Sequence, residues 1–161
     1  MNIGVLRHGT AEDRQPGVED ATRRLTKEGK REVKAVARRA REAGVAPELI
    51  LTSPLVRAKE TAEIAAAEFG CDHILETKAL EPDAPPQGVW QEIQKHRNAS
   101  EILVVGHQPQ LSALASFLLE APVSVDFKKG ALLRLIVQEK QSRPRGVLKW
   151  LLTPKLAKAA D

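Results

Sequence analysis

Residues 102–109 read Ile-Leu-Val-Val-Gly-His-Gln-Pro, and they indicate the fold more clearly than any other stretch of the chain. Four consecutive apolar residues followed by glycine are typical of a short buried strand. The segment from Gly106 to Pro109 ends this strand and opens a helix that we expect to reach about Leu119. The stretch therefore predicts a strand that leads directly into a helix, with His107 at the junction.

The rest of the chain alternates between strands and helices in the same way. Short apolar runs indicate buried strands, and capping residues with apolar side chains at helical spacing indicate helices. The predicted strands are 3–6, 48–52, 73–76, 102–105 and a late hairpin of 132–137 and 147–152, joined by a polar loop at 139–145. The first predicted helix is capped by Thr26 and ends at Gly44. The second has Ser53 as its N-cap and Pro54 as its first residue, and it runs to about residue 69. The third covers 89–97, and the fourth is the helix that reaches residue 119. The segments 11–24 and 81–88 are predicted loops. This order predicts a single domain, residues 1–161, with a three-layer α/β/α sandwich around a mostly parallel sheet.

Charged and imidazole side chains follow three of the predicted strands. Arg7 and His8 follow the first strand, Arg57 lies just past the second, and His107 follows the fourth. Functional residues of parallel α/β sheets gather beyond the carboxyl ends of the strands. We therefore expect these four side chains to meet at one edge of the sheet.

Two arginines and two histidines in one crevice suit phosphate chemistry. Guanidinium forks match phosphate oxygens, and a neutral imidazole can attack phosphorus. Neighbouring arginines would lower the pKa of His8 and keep the ring neutral. Arginines can also neutralise charge in the transition state, so no metal or organic cofactor is expected. The Arg-His-Gly triplet at 7–9 recurs by chance in many proteins, and only the joint pattern carries the prediction.

Four segments occur in the order found in one known family: Val-Leu-Arg-His-Gly at 5–9, Arg-Leu-Thr-Lys-Glu-Gly at 24–29, Thr-Ser-Pro-Leu-Val-Arg-Ala-Lys-Glu-Thr-Ala at 52–62, and Val-Val-Gly-His-Gln-Pro at 104–109. In these four segments the chain resembles the histidine phosphatase superfamily, and in particular its short SixA-like phosphohistidine phosphatase branch. The fold of this superfamily is phosphoglycerate mutase-like. The resemblance implies that His8 becomes phosphorylated and that water then hydrolyses the intermediate. It also implies a phosphate pocket completed by Arg7, Arg57 and His107.

A general acid for the leaving group has one leading candidate. Many larger members of the superfamily use a loop carboxylate, and Glu81 is the best-placed residue here, with Asp83 and Glu12 behind it. The SixA-like branch does not clearly share an acid at this position. A phosphohistidine substrate lowers the demand for one, because its imidazole can leave already protonated. The alternative is that Glu81 is simply a solvated loop carboxylate.

Composition narrows the classes of partner. The 161 residues are 42% hydrophobic and 29% charged, with a net charge of +4 that favours anionic partners. Scarce aromatic residues, 3% with no Tyr, argue against single-stranded nucleic acid. No apolar run approaches the roughly 18 residues of a membrane span. The N-terminus does not resemble a signal peptide, so we expect a cytoplasmic protein. The basic helix at 27–43 could dock an acidic protein or nucleic acid, but we favour the solvated face of an amphipathic helix, because lysine and arginine are nearly always exposed.

These observations predict a phosphatase that prefers phosphohistidine in a protein, such as a phosphotransfer domain. A short chain has few insertions with which to enclose a small metabolite. A phosphatase for small phosphate esters, including sugar or nucleotide phosphates, stays open. A non-catalytic module that binds phosphorylated partners is the alternative from another class, although a binder needs no nucleophile. A mutase would need a segment to reorient its product. Nothing in the sequence demands a partner chain, so a monomer is compatible with it.

Overall fold

Strand Asn2–Arg7 (β1) lies in the interior of a six-stranded mixed sheet. The computed structural model describes residues 1–138 and 143–159, and the predicted polar loop 139–145 lies outside the described residues at positions 139–142. The other strands are Leu49–Thr52 (β2), Ile74–Glu76 (β3), Glu101–Gly106 (β4), Leu132–Gln138 (β5) and Arg145–Leu152 (β6). The helices are Lys27–Glu42 (α1), Val56–Phe69 (α2), Pro86–Lys95 (α3), Gln110–Leu119 (α4) and Pro154–Ala159 (α5), with short 3₁₀ turns at Asp20–Thr22 and Lys78–Leu80.

The sheet has the strand order β3-β2-β4-β1-β5-β6. The first four strands in this order are mutually parallel, whereas β5 is antiparallel to β1 and β6 is antiparallel to β5. Val5 in β1 lies opposite Val104 of β4 on one side and Leu133 of β5 on the other. The mostly parallel sheet and the late hairpin are therefore confirmed, and the carboxyl ends of β1, β2 and β4 point the same way.

Helices cover both faces of the sheet and give the predicted three layers. On one face, α3 and α4 pack against Ile3 and Val5. On the other face, α1, α2 and α5 pack against Leu6 and Leu103. The apolar residues of each layer are removed from water, which is the main stabilising contribution to such a fold. Among the described residues, no helix is long and apolar enough to cross a membrane.

The observed start of α1 agrees with the prediction from the sequence, whereas the observed starts of α2 and α3 differ from it. Thr26 caps α1 as predicted, since its Oγ1 accepts a hydrogen bond from the Gly29 amide at 2.9 Å. Ser53 is not the N-cap of α2, because the helix starts at Val56 after Leu55. Helix α3 starts at residue 86 rather than 89, because a proline at the first helical position lacks only an amide that would have no partner there. Helix α5 was not predicted.

The first turn of α1 packs directly against the loop that follows β1. The Thr26 amide donates to the Thr10 carbonyl at 2.9 Å, and a Cβ atom at Gly29 would lie 2.2 Å from the same oxygen. A Cβ atom at Gly9 would lie 2.8 Å from a methyl group of Val33. Both glycines are therefore required for the backbone after His8 to rest on α1.

We expect Gly29→Ala to destabilise the protein by about 2–3 kcal/mol, because the added methyl group overlaps backbone and forces the loop away from α1. Gly88 in α3 is the matched control, since a Cβ atom there meets only an ordinary contact at 3.5 Å. Gly88→Ala should raise stability by up to about 1 kcal/mol through helix propensity. Urea unfolding measures both changes, and an unchanged midpoint for Gly29→Ala would contradict the close packing.

Candidate active site

A cleft of about 420 Å³ lies at the carboxyl ends of β1, β2 and β4. All four side chains expected at this edge line it. The charged and imidazole residues of its lining are Arg7, His8, Arg14, Asp20, Arg23, Arg57, Asp83, His107 and Lys129. Five cationic side chains face two carboxylates, so the cleft suits an anionic ligand.

A second groove, about 570 Å³, is larger but chemically different. It lies at the amino ends of β2 and β3 and contains His73 and His96. Its lining has one lysine and no arginine against the two carboxylates of Glu48 and Asp72. We therefore assign the phosphate chemistry to the smaller cleft, where the arginines converge.

His8 is held in one orientation with one ring nitrogen left for chemistry. Its Nδ1 lies 2.7 Å from the Gly9 carbonyl, which can only accept, so Nδ1 carries the proton. Its Nε2 therefore has a free electron pair, and the Nε of Arg57 donates towards it at 3.4 Å. Burial, followed by the charges of Arg57 and Arg7, lowers the pKa of His8 to about 4, although the bond to Gly9 acts against them. At neutral pH the ring is uncharged and nucleophilic.

His107 lies beside His8, with a ring-centroid distance of 5.0 Å. Its Nε2 is 2.8 Å from the Ser53 hydroxyl, whereas Nδ1 is buried and has no hydrogen-bond partner among the described residues. Burial and then the neighbouring His8 and Arg57 lower the pKa of His107 to about 3. Ser53 thus orients His107 instead of capping α2, and Nδ1 is the nitrogen left to contact a ligand.

The two predicted arginines reach the cleft from different elements. Arg7, at the end of β1, donates from Nη1 to the Phe127 carbonyl at 2.6 Å, and its buried Nε has no partner in the described part of the chain. Arg57, in the first turn of α2, is 4% exposed. Thr61, one turn later, donates from Oγ1 to the Arg57 carbonyl at 2.7 Å and accepts from the Gly9 amide at 3.1 Å. The buried Thr61 therefore fixes α2 to the loop that follows His8.

The candidate acids do not all reach the cleft. Asp83 lines it, but Glu81 and Glu12 do not. The segment that carries Asp83 is held by Gln110 at the start of α4, whose Nε2 donates to the carbonyls of Ala79 at 2.5 Å and Ala84 at 3.0 Å. The sequence pattern does not show whether Asp83 or Glu81 faces the cleft, because the orientation of their segment depends on its hydrogen bonds with Gln110.

Sequence reasoning missed three charged residues of the cleft: Arg14, Asp20 and Lys129. The position of Arg23 and Arg24 beside Leu25 predicts that one of them reaches the rim of the pocket. Arg23 lines the cleft, whereas Arg24 is exposed and pairs with Glu60 at 3.7 Å. The only signal for Asp20 in the sequence is its position three residues before Arg23, and the sequence contains no signal for Lys129. Within the described residues, no group of three His, Cys, Asp or Glu side chains forms a metal-binding cluster.

The lowered pKa values predict that the imidazole rings of His8 and His107 become protonated only in acid. We expect NMR titration of the folded protein to show His8 protonating near pH 4 and His107 near pH 3, well below the usual 6.5, because burial disfavours the charged forms. Loss of the corresponding signals in His8→Ala and His107→Ala assigns them. A midpoint near 6.5 for His8 would mean that the ring is solvated and charged at mildly acidic pH.

The fold is of the α/β class, and its cationic cleft suits a phosphorylated ligand. A family model for branch 1 of the histidine phosphatase superfamily matches residues 3–83, half of the chain. The chain belongs to this superfamily, and its membership supports phosphatase activity.

Two sequence relatives and one solved structure place the chain more closely. An uncharacterized protein of Picosynechococcus is 41% identical over 118 residues, which cover 71% of each chain. The probable phosphoglycerate mutase GpmB of Cronobacter sakazakii is 39% identical over 87 residues, which are 52% of this chain and only 39% of that protein. The structure of the protein histidine phosphatase SixA complexed with tungstate has a TM-score of 0.88 at 23% identity, covering 96% of this chain and 98% of that one. The chain therefore has the fold of SixA.

Proposed function

We propose that this chain is a phosphatase that removes the phosphoryl group from phosphohistidine in a protein, through a phosphohistidine intermediate on His8. The observation that carries the proposal is the state of His8. Its ring is neutral, its Nδ1 is engaged by Gly9, and its Nε2 faces the guanidinium group of Arg57. A nucleophile and a permanent positive charge are thus directed at the same point.

The reaction takes place in two displacements. In the first, the Nε2 electron pair of His8 forms a bond to phosphorus, and the P–N bond of the substrate breaks to release its imidazole. Arg7 and Arg57 neutralise the charge on the phosphoryl oxygens. In the second, water attacks phosphorus, the P–N bond breaks with its electron pair returning to Nε2 of His8, and inorganic phosphate leaves as dihydrogen phosphate, which keeps both protons of the water. His107 contacts the phosphoryl group in both steps.

The leaving group supports phosphohistidine over an ester. An alkoxide must be protonated as it leaves, whereas the imidazole of phosphohistidine can leave as a neutral ring that was protonated beforehand. Glu81, the residue expected to supply a proton, is not part of the cleft lining. The resemblance of the fold to the protein histidine phosphatase SixA agrees with this preference.

A phosphatase for small phosphate esters is the second candidate. Asp83 is the observation that favours it, because this carboxyl group lines the cleft and could protonate an alkoxide. The sequence similarity to GpmB also fits a small phosphorylated metabolite.

Substrate competition distinguishes the two candidates. The protein is incubated with a ³²P-labelled phosphohistidine phosphotransfer domain, free phosphohistidine, p-nitrophenyl phosphate, a sugar phosphate and a nucleoside monophosphate. We expect kcat/KM for the phosphoprotein to exceed that for the sugar phosphate and for the nucleoside monophosphate by about 100-fold or more, because their alkoxides need a general acid and such an acid usually contributes about this factor. Turnover of free phosphohistidine shows whether a preference for the phosphoprotein comes from cleavage of the P–N bond or from recognition of the protein around it. Faster turnover of an ester would favour the second candidate, and binding without turnover would favour a phospho-binding module.

A further inference from the structure

Asp20 makes more ionic contacts in the cleft than either catalytic arginine. Its Oδ1 lies 2.8 Å from Nε of Arg23 and 3.2 Å from Nε of Arg14, and its Oδ2 lies 3.1 Å from Nη2 of Arg57. The Asp20 carbonyl also accepts from Nη1 of Arg57 at 2.9 Å. Asp20 lies in the 12–24 segment, the part of the predicted loop 11–24 that precedes α1, and it joins three guanidinium groups.

These contacts leave a specific edge of Arg57 available. Asp20 occupies the outer end of the guanidinium group, where Nη1 and Nη2 both point towards it. The Nε edge points instead to Nε2 of His8 at 3.4 Å. A phosphoryl group on that nitrogen would meet the Nε edge without displacing Asp20. The carboxylate thus lies behind Arg57 with respect to the nucleophile.

We propose that Asp20 is a positioning residue that holds the guanidinium plane of Arg57 so that its Nε edge faces the phosphoryl group on His8. An arginine side chain has many rotamers, and fixing it in advance removes an entropic cost from binding and from the transition state. Within the described residues, the other hydrogen-bond partner of the Arg57 guanidinium is the ring of His8 itself. Its orientation in the described structure therefore depends on Asp20.

A competing role for Asp20 has the opposite consequence. A carboxylate that blocked the anion site would weaken ligand binding, so its removal would tighten binding. The cluster of Asp20 with Arg14, Arg23 and Arg57 keeps a net positive charge, and Asp20 makes no contact with the Nε edge of Arg57 that faces His8. Both features favour the positioning role. It rests on the phosphoryl-transfer site of the proposed function, but not on which substrate is used.

Tungstate binding tests the role without requiring turnover. Calorimetry compares wild type, Asp20→Asn, Asp20→Ala, Arg57→Ala and the double variant of Asp20→Ala with Arg57→Ala. We expect Asp20→Ala to weaken tungstate binding about tenfold, the scale of a lost charge-assisted contact. Asp20→Asn should recover part of this loss, because its amide oxygen can still accept from Arg57. In the Arg57→Ala background the same change should alter affinity less than about twofold.

Asp13 supplies the matched control, since it lies in the same segment and is exposed outside the cleft lining. Asp13→Ala should bind tungstate like the wild type. Tighter binding by Asp20→Ala would establish a competing role and overturn the proposal. An equal loss in the presence and absence of Arg57 would overturn it as well, because Asp20 would then act elsewhere. If wild type binds tungstate but does not hydrolyse phosphohistidine, only the proposed function fails.

Discussion

His8→Ala should reduce phosphoryl transfer by about 10⁴-fold or more, the largest effect of any single substitution in this chain. The reason is that Nε2 of His8 is the unprotonated nitrogen at the centre of the cleft, with Arg57 directed at it. Wild type quenched during turnover of a ³²P-labelled substrate should carry an acid-labile, base-stable label. The variant should carry none.

His96→Ala is the control for this experiment, because His96 is half-buried in the other groove, outside the cleft. It should label and turn over like the wild type. Retained turnover in His8→Ala would show that the phosphoryl group does not pass through His8. Label that moved to His107 would lead to the same conclusion, and peptide mapping of the labelled protein distinguishes the two outcomes.

Arg57→Ala should lower kcat/KM by about 10²–10³-fold, because it removes a preorganised cation from the developing phosphoryl charge. Arg57→Lys is the informative companion. Lysine keeps the charge but lacks the planar fork, so it should recover less than about a tenth of the lost activity. Arg24→Ala, an exposed arginine paired with Glu60, should leave kcat/KM within about twofold of wild type.

Steady-state kinetics on the preferred substrate measures these changes. A full recovery by Arg57→Lys would mean that net charge, and not the guanidinium fork, is what the cleft requires. Unfolding by urea controls for stability, because Arg57 is buried and its carbonyl is bonded to Thr61.

The strand ends were predictable because their positions follow from local pattern. Arg7, His8 and His107 come directly after apolar runs, and parallel strands bring such positions to one edge. The cap at Thr26 was predictable for the same reason, since its contact to Gly29 spans three residues.

The remaining cleft residues depend on contacts between distant segments. Asp20 reaches Arg57 only because the 12–24 segment folds across the end of α2. Ser53 precedes a proline and a helix, a pattern that suits an N-cap, yet its hydroxyl is engaged by a histidine 54 residues away. Asp83 faces the cleft because Gln110 fixes its segment. Contacts between residues so far apart in the chain cannot be predicted from the local sequence pattern.

Strand β1 leads directly into the proposed nucleophile, but both neighbours of β1 in the sheet come late in the chain. β4 begins at Glu101 and β5 ends at Gln138. At about 5–20 residues per second, a ribosome needs on the order of ten seconds to reach them after β1 has been made. The nascent chain therefore displays Arg7 and His8 long before a pocket exists around them. If the proposed function holds, we expect a chain interrupted before β5 to show no phosphoryl transfer.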